Sequence, residues 1–141
     1  TLSNGHLVDA LRNLRRVVKH GCAVFVISDF SNLTDEVNDE ARLHLNQIAR
    51  NNDLVGIHIS DSLERELPRP DVYTITNGSE RTKINTTSKR FREDYQNHFD
   101  THMNTLRREF TRNKSPLFEL QTHEPVIETL VQKYNAYARQ I

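Results

Sequence analysis

Two aspartates in this sequence directly follow runs of residues that read as buried strands. Asp29 comes after CAVFVIS at 22–28, and Asp61 comes after LVGIHIS at 54–60. Each run is apolar, rich in β-branched residues and bounded by polar residues, which is typical of a strand covered on both faces. Ligands of open parallel sheets bind at the carboxyl ends of the strands. The two carboxylates therefore indicate either a site for a cation or substrate, or side chains that cap the turns after the strands.

Two further residues are candidates for the same end of the sheet. Ser28 precedes Asp29, and Glu64 follows three residues after Asp61. The spacing of Asp61 and Glu64 is that of a helix N-cap with an acidic residue in the first turn, which favours a structural role for this pair. A reaction at this end would use Asp29 and Asp61 with Mg²⁺ as a Lewis acid, as in a hydrolase or phosphotransferase.

Other catalytic or metal-binding motifs have little support. His98 and His102 have the spacing of two ligands on one helix, but no Glu of a HEXXH motif lies between them and no third ligand suggests itself. Both are therefore predicted to lie on a solvated face of that helix. His58 alternates with isoleucines in a strand and is predicted to be a buried or half-buried histidine with satisfied polar atoms rather than a catalyst. The four glycines form no phosphate-binding loop. The lack of a nucleophile, general base and phosphate cradle favours a protein that is not an enzyme.

Composition narrows the class of protein further. Nineteen basic residues balance nineteen acidic ones, so neither nucleic acid nor an anionic membrane is predicted as a partner. Cys22 is the only cysteine, which excludes an internal disulfide and favours the cytoplasm. No apolar run approaches the ~18 residues of a membrane span, and the first residues do not have the pattern of a signal peptide.

The order of apolar periods predicts an α/β fold. Helical spacing predicts helices at about 3–19, 34–51, 88–113 and from 124 onward, with strands at 22–28, 54–60 and 117–121. A strand, a helix and a strand in close succession predict a βαβ unit with parallel, adjacent strands. The turn Asn77-Gly78 between two short β-rich runs predicts a hairpin. We predict one domain over residues 1–141, a three-layer α/β sandwich with a mostly parallel, Rossmann-like sheet and a β-hairpin insertion.

Several stretches resemble a known bacterial family. VFVISDF at 24–30 and DSLERELP at 61–68 are the most specific pieces, and the order of strands, hairpin, aromatic-striped helix and last short strand is similar too. The family is catalogued as domain of unknown function number fifty-eight and contains a von Willebrand factor A-like domain. The resemblance extends through nearly the whole chain and covers the second half of that domain, which predicts a fragment of a longer protein.

The resemblance implies a partial von Willebrand factor A fold and a role beside a MoxR-type AAA+ ATPase. In A domains a divalent cation is held by an Asp-x-Ser-x-Ser loop, a threonine and a later aspartate, and Asp29 matches that aspartate by position. No Asp-x-Ser-x-Ser occurs in these 141 residues, and a lone carboxylate cannot hold Mg²⁺. The implied metal site at Asp29 is therefore an incomplete remnant, without a cofactor in this chain and with Mg²⁺ only in the full-length protein.

Two hypotheses from different classes follow. The first is a non-enzymatic protein-interaction module, an adaptor or assembly partner of the ATPase. This module is predicted to be cytoplasmic, and the full-length protein could attach to a membrane. The second is a Mg²⁺-dependent hydrolase or phosphotransferase that uses Asp29 and Asp61. If strand 22–28 lies at an open sheet edge, its unpaired backbone groups also predict a homodimer.

Overall fold

The computed structural model describes residues 6–33 and 39–140. Its helices are α1 (His6–Val17), α2 (Asp39–Asn51), α3 (Ser62–Arg65), α4 (Lys89–Arg112) and α5 (Val126–Ala138), with a 3-10 turn at Ser31–Leu33. Its strands are β1 (Ala23–Ser28), β2 (Asp53–Ser60), β3 (Val72–Thr76), β4 (Arg81–Asn85) and β5 (Leu117–Gln121). The elements predicted from the sequence are confirmed to within a few residues. The starts predicted for the first two helices lie outside the described residues.

The main sheet is parallel, as predicted. Its strand order is β1-β2-β5, and the register places His58 of β2 level with Ser28 of β1 and with Glu119 of β5. Parallel neighbours need crossover connections, which α2 provides between the first two strands and α4 provides before β5. The hairpin prediction is also confirmed, because β3 and β4 form a separate two-stranded antiparallel sheet.

Helices pack on both faces of the main sheet. On one face, α1, α2 and α4 close a core with β1 and β2, and its large, fully buried side chains include Phe30, Leu45, Ile48, Met103, Leu106 and Phe110. On the other face, α5 packs against Val55, Ile57, Phe118 and Leu120. Gly56 of β2 is needed for close packing, because a Cβ atom there would collide with the ring of Phe110. The mixed α/β architecture predicted from the sequence is thereby confirmed.

The α5 face of the sheet is covered only in part. Phe25 and Ile27 of β1 remain 59% and 62% exposed. A groove of about 280 Å³ separates Phe25 from Tyr134 of α5. Within the described residues, β1 pairs with β2 alone and therefore lies at the edge of the sheet.

The aromatic stripe of α4 belongs to the core at one end only. Phe99 and Phe110 are buried, whereas Phe91 is 39% exposed. Tyr95 is half-buried and donates its hydroxyl to the carbonyl oxygen of Leu63 at 2.8 Å. Among the helices described, none has the length and apolar character to cross a membrane.

Candidate functional site

The turn after β1 accounts for a carboxylate at the end of a buried strand. The Asp29 Oδ1 atom accepts hydrogen bonds from the backbone N–H and the hydroxyl of Ser31, at 3.1 and 3.2 Å. The Ser28 hydroxyl oxygen accepts the backbone N–H of Phe30 at 3.0 Å. Both side chains therefore satisfy backbone groups of the 3-10 turn that follows the strand, which is the capping alternative considered for Asp29.

Phe30 is the residue of this turn that the sequence interpretation missed. Its φ angle is 53°, a left-handed conformation that costs a non-glycine residue about 1–2 kcal/mol. The side chain is fully buried and packs edge to face on Phe110. Burial of a large aromatic side chain contributes more than this strain costs. The sequence did contain a signal for this buried position. An aromatic residue directly follows the polar pair Ser28-Asp29, where a surface turn would normally carry a polar residue.

Asp61 occupies the corresponding position after β2. It is the N-cap of α3 and accepts the backbone N–H of Leu63 at 2.9 Å. It also accepts the hydroxyl of Thr122 at 2.8 Å, across the carboxyl ends of β2 and β5. The bond from Leu63 first, and that from Thr122 second, lower the pKa of the Asp61 carboxyl. The N-cap interpretation of Asp61 is thus confirmed.

The two aspartates lie at the same end of the sheet, as predicted from the parallel strands. Each bonds to the turn that follows its own strand, and no hydrogen bond joins Asp29 to Asp61 in the part of the chain that the structure describes. Glu64 is exposed in the first turn of α3, where its backbone N–H donates to the Asp61 carbonyl oxygen at 3.1 Å. The structure therefore pairs Ser28 with Asp29 and Asp61 with Glu64, without merging the pairs into one cluster.

His58 lies beneath α4, close to this end of the sheet, and is only 1% exposed. Its ring centroid is 5.8 Å from that of His102 and 6.4 Å from that of Phe99. The Nδ1 atom has no hydrogen-bond partner among the described residues, so the prediction of a satisfied buried histidine is wrong at that atom. Burial, with a smaller contribution from His102, lowers the pKa of His58. The ring is therefore mostly neutral at pH 7.

His98 and His102 do not act as a pair. His98 is exposed, whereas the half-buried His102 places its Nε2 atom 3.1 Å from the Asp29 carbonyl oxygen. We expected both to lie on a solvated helix face, which is wrong for His102. Its inward position depends on the packing of α4 over the sheet, which helical spacing does not reveal.

Charged residues lie beside His58, since Glu119 of β5 is its partner in the sheet register. Glu119 of β5 lies 2.6 Å from Arg107 and 3.6 Å from Arg65, measured between their closest nitrogen and oxygen atoms. The Arg65 guanidinium lies over the ring of Phe99, 5.4 Å from its centroid. The sequence interpretation did not identify these contacts, because their members come from three separate elements.

The described residues do not fit a complete Mg²⁺ site. Mg²⁺ requires near-octahedral coordination by oxygen atoms, and Asp29 Oδ1 is already engaged by Ser31. Among the residues that the structure describes, no three His, Cys, Asp or Glu side chains are grouped so that they could hold a metal ion. The side chains of Asp29 and Asp61 at the carboxyl end of the sheet cap the turns that follow β1 and β2.

The fold and these turns define a mixed α/β protein with capped strand ends, and comparison with known proteins gives its family. Residues 2–105 match the family described as Protein of unknown function DUF58, so the chain belongs to this family, as the resemblance predicted. No curated protein matches the chain.

One solved structure shows limited similarity to the chain. It is the crystal structure of the conserved hypothetical protein BatB from Bacteroides thetaiotaomicron, with 10% sequence identity and a TM-score of 0.39. The match covers 94% of this chain and 59% of the BatB chain. The chain therefore spans less than two thirds of the length of that protein.

Proposed function

We propose that this chain is a non-enzymatic protein-interaction module that serves as an adaptor or assembly partner of a MoxR-type AAA+ ATPase. The observation that carries the proposal is the exposed apolar surface formed by Phe25 and Ile27 of β1 with Val131 and Tyr134 of α5, which we call the β1 face. Each of these side chains is more than half exposed. Contiguous exposed apolar surface of this kind marks interaction sites in soluble proteins.

The backbone of β1 supports the same proposal. Edge strands are normally protected by charged residues, proline, bulges or short length, because their free N–H and C=O groups pair readily with other chains. The sequence of β1, AVFVIS, contains neither a charged residue nor proline. A partner that covers the β1 face would satisfy the free backbone groups and bury Phe25 and Ile27 together.

The identity of the partner rests on the family resemblance. Proteins that resemble VFVISDF and DSLERELP in sequence and order usually accompany MoxR-type ATPases, and we extend that association to this chain. The proposed contact needs no chemistry at Asp29 or Asp61, whose side chains bond to their own turns.

A binding measurement with purified proteins tests this proposal. The chain and the MoxR-type ATPase encoded in the same genome are mixed, and their affinity is measured by titration calorimetry. Replacing two buried apolar anchors of an interface typically costs at least about 2 kcal/mol, so we expect Phe25→Ser with Ile27→Ser to weaken binding more than tenfold. The matched control is Val17→Ser with Leu43→Ser, two apolar residues of α1 and α2 that are 74% and 52% exposed.

Three results would contradict the proposal. The first is no binding at high micromolar concentration, and the second is an equal loss in the control variant. The third is Mg²⁺-dependent turnover of a phosphate ester that is lost in Asp29→Asn, which would favour the hydrolase or phosphotransferase hypothesis.

A further inference from the structure

The hairpin of β3 and β4 stands apart from the main sheet. We call residues 72–85 the hairpin arm. Tyr73 and Ile84, which are cross-strand partners, are half-buried, whereas the other strand residues of the arm are exposed. The arm therefore turns one side toward the rest of the protein. Its outward face consists of Val72, Thr74, Thr76, Arg81, Lys83 and Asn85.

The base of the arm is firmly anchored. Thr86 is only 2% exposed, and its backbone N–H donates to the Asp71 carbonyl oxygen at 2.9 Å. Its hydroxyl oxygen accepts the backbone N–H of Asp71 at 3.0 Å. Arg92 of α4 donates to the carbonyl oxygens of Leu67 and Pro68, at 3.1 and 2.5 Å. The Thr86 bonds join the two ends of the hairpin to each other. The Arg92 bonds tie the segment that leads into β3 to α4.

The tip of the arm is closed by its own turn. The Asn77 side-chain oxygen accepts the backbone N–H groups of Ser79 and Glu80, at 3.1 and 2.8 Å. Gly78 supplies the positive φ angle, 97°, that the turn requires. A two-stranded hairpin alone is marginally stable in water, and three strands are usually needed. An anchored hairpin is therefore a suitable template for a third strand.

The outward face is basic. Arg81 and Lys83 are exposed and form no ion pair within the described residues, whereas Lys89 and Arg90, just beyond the arm, pair with carboxylates of α4. The six residues of the outward face include no carboxylate. Because the whole chain has a formal net charge of zero, this positive charge is a local feature.

We propose that the hairpin arm binds an acidic segment of a partner protein, which adds as a third strand beside β4. Within the described residues, β4 pairs only with β3, so its other edge is available. Arg81 and Lys83 are two residues apart on one strand, which places their side chains on the same face about 7 Å apart. An extended Glu-x-Glu segment has the same spacing, and opposite charges on neighbouring strands stabilise their pairing.

The chemistry of the outward face favours a protein segment over nucleic acid. Val72 is 54% exposed on this face beside two threonines, which gives an apolar segment a surface to contact. Binding to a phosphate backbone normally relies on many cationic contacts, whereas the face contributes two. The inference rests on the proposed function in one respect, because it assigns a second contact surface to the same interaction module.

A peptide titration tests the inference. The probe is a short capped peptide that alternates glutamate and valine, and the comparison peptide carries lysine in place of glutamate. We expect the glutamate peptide to shift backbone amide signals of residues 72–85 in ¹⁵N spectra of the 141-residue chain. We also expect binding to weaken as salt is added, because both partners are charged and exposed.

Charge reversal supplies the matched variants. Exposed cross-strand ion pairs are individually weak, so Arg81→Glu with Lys83→Glu, which replaces two attractions by two repulsions, should weaken peptide binding about tenfold. The control, Arg16→Glu with Lys19→Glu, makes the same change in net charge at exposed positions at and after the end of α1, and should leave binding unchanged. All four positions are exposed, so both variants are expected to fold.

Several results would overturn the inference. They are equal binding of the lysine peptide, signal shifts outside the arm, an equal loss in the control variant, or binding of duplex DNA through Arg81 and Lys83 without binding of the peptide. The two proposals fail separately. Peptide binding without ATPase binding would overturn the proposed function alone, and ATPase binding without peptide binding would overturn only the inference about the arm.

Discussion

Phe30, which follows the polar end of β1, packs edge to face on Phe110 of α4, with ring centroids 5.4 Å apart and ring planes at 78°. The contact joins the turn after β1 to the longest helix and buries both rings. Ser28 and Asp29 hold the backbone of this turn, while Phe30 anchors it in the core. Ser28, Asp29 and Phe30 therefore together fix the turn at the carboxyl end of β1.

Removal of the Phe30 ring should destabilise the protein strongly. Replacing a fully buried Phe by Ala typically lowers the free energy of unfolding by about 3–5 kcal/mol, and we expect Phe30→Ala to fall in that range. Phe91→Ala is the control, because that ring is 39% exposed and should contribute less than half as much. Urea denaturation measures both values. Equal losses in the two variants would show that the turn does not anchor the core.

His58 should make stability depend on pH. Its pKa in the folded protein is lowered, chiefly by burial, so the unfolded chain binds the proton more readily. The contribution of His58 to the free energy of unfolding is therefore fully present above about pH 6.5, the pKa of an unfolded histidine. It is lost as the pH falls below that value.

A pH series of urea midpoints tests this dependence on His58. We expect the midpoint to fall between about pH 7 and pH 5, with a smaller fall in His58→Leu and an unchanged fall in the control variant His98→Leu. The lowered pKa of Asp61 acts in a separate window, because its contribution is lost only as the pH falls below about 4. If the urea midpoint of His58→Leu depended on pH in the same way as that of the natural chain, His58 would not be the cause of the dependence.

Mg²⁺ and Mn²⁺ should bind this chain no more tightly than millimolar. Asp29 matches one ligand of the A-domain pattern, but the 141 residues contain no Asp-x-Ser-x-Ser loop, and these ions require several oxygen ligands. Titration calorimetry at neutral pH provides the measurement. Micromolar affinity that disappears in Asp29→Ala would mean that the chain holds a complete site.

The chain should self-associate when no partner is present. β1 exposes free backbone groups beside Phe25 and Ile27, and such an edge favours a two-fold dimer that continues the sheet or covers its apolar face. We expect the buried interface to exceed about 1,000 Å². Light scattering should report a dimer that Phe25→Ser with Ile27→Ser converts to a monomer.

The control for self-association is Val17→Ser, which changes an exposed apolar residue of α1 and should leave the dimer intact. A chain that remains monomeric at tens of micromolar, with residues 22–28 protected from hydrogen exchange, would contradict the prediction. If the full-length protein is monomeric under the same conditions, the dimer is a property of the isolated chain alone.

The sequence by itself determined the elements, the parallel pairing of β1 with β2, and the N-cap at Asp61. These features depend on residues close together in the chain, because helical and strand periods, turn residues and caps are local patterns. The hairpin of β3 and β4 was predictable for the same reason, since Asn77-Gly78 specifies a tight turn. The family could also be inferred, because VFVISDF and DSLERELP are continuous segments.

Only the tertiary structure decided which side chains meet. Phe30 and Phe110, or Glu119 and Arg65, are far apart in the chain, and their contacts depend on how α3 and α4 pack on the sheet. The same holds for the exposure of Phe25, which an apolar pattern predicts to be buried and which α5 leaves uncovered. Local patterns indicate that a residue prefers to be buried, but the packing of distant elements determines whether another helix or strand covers it.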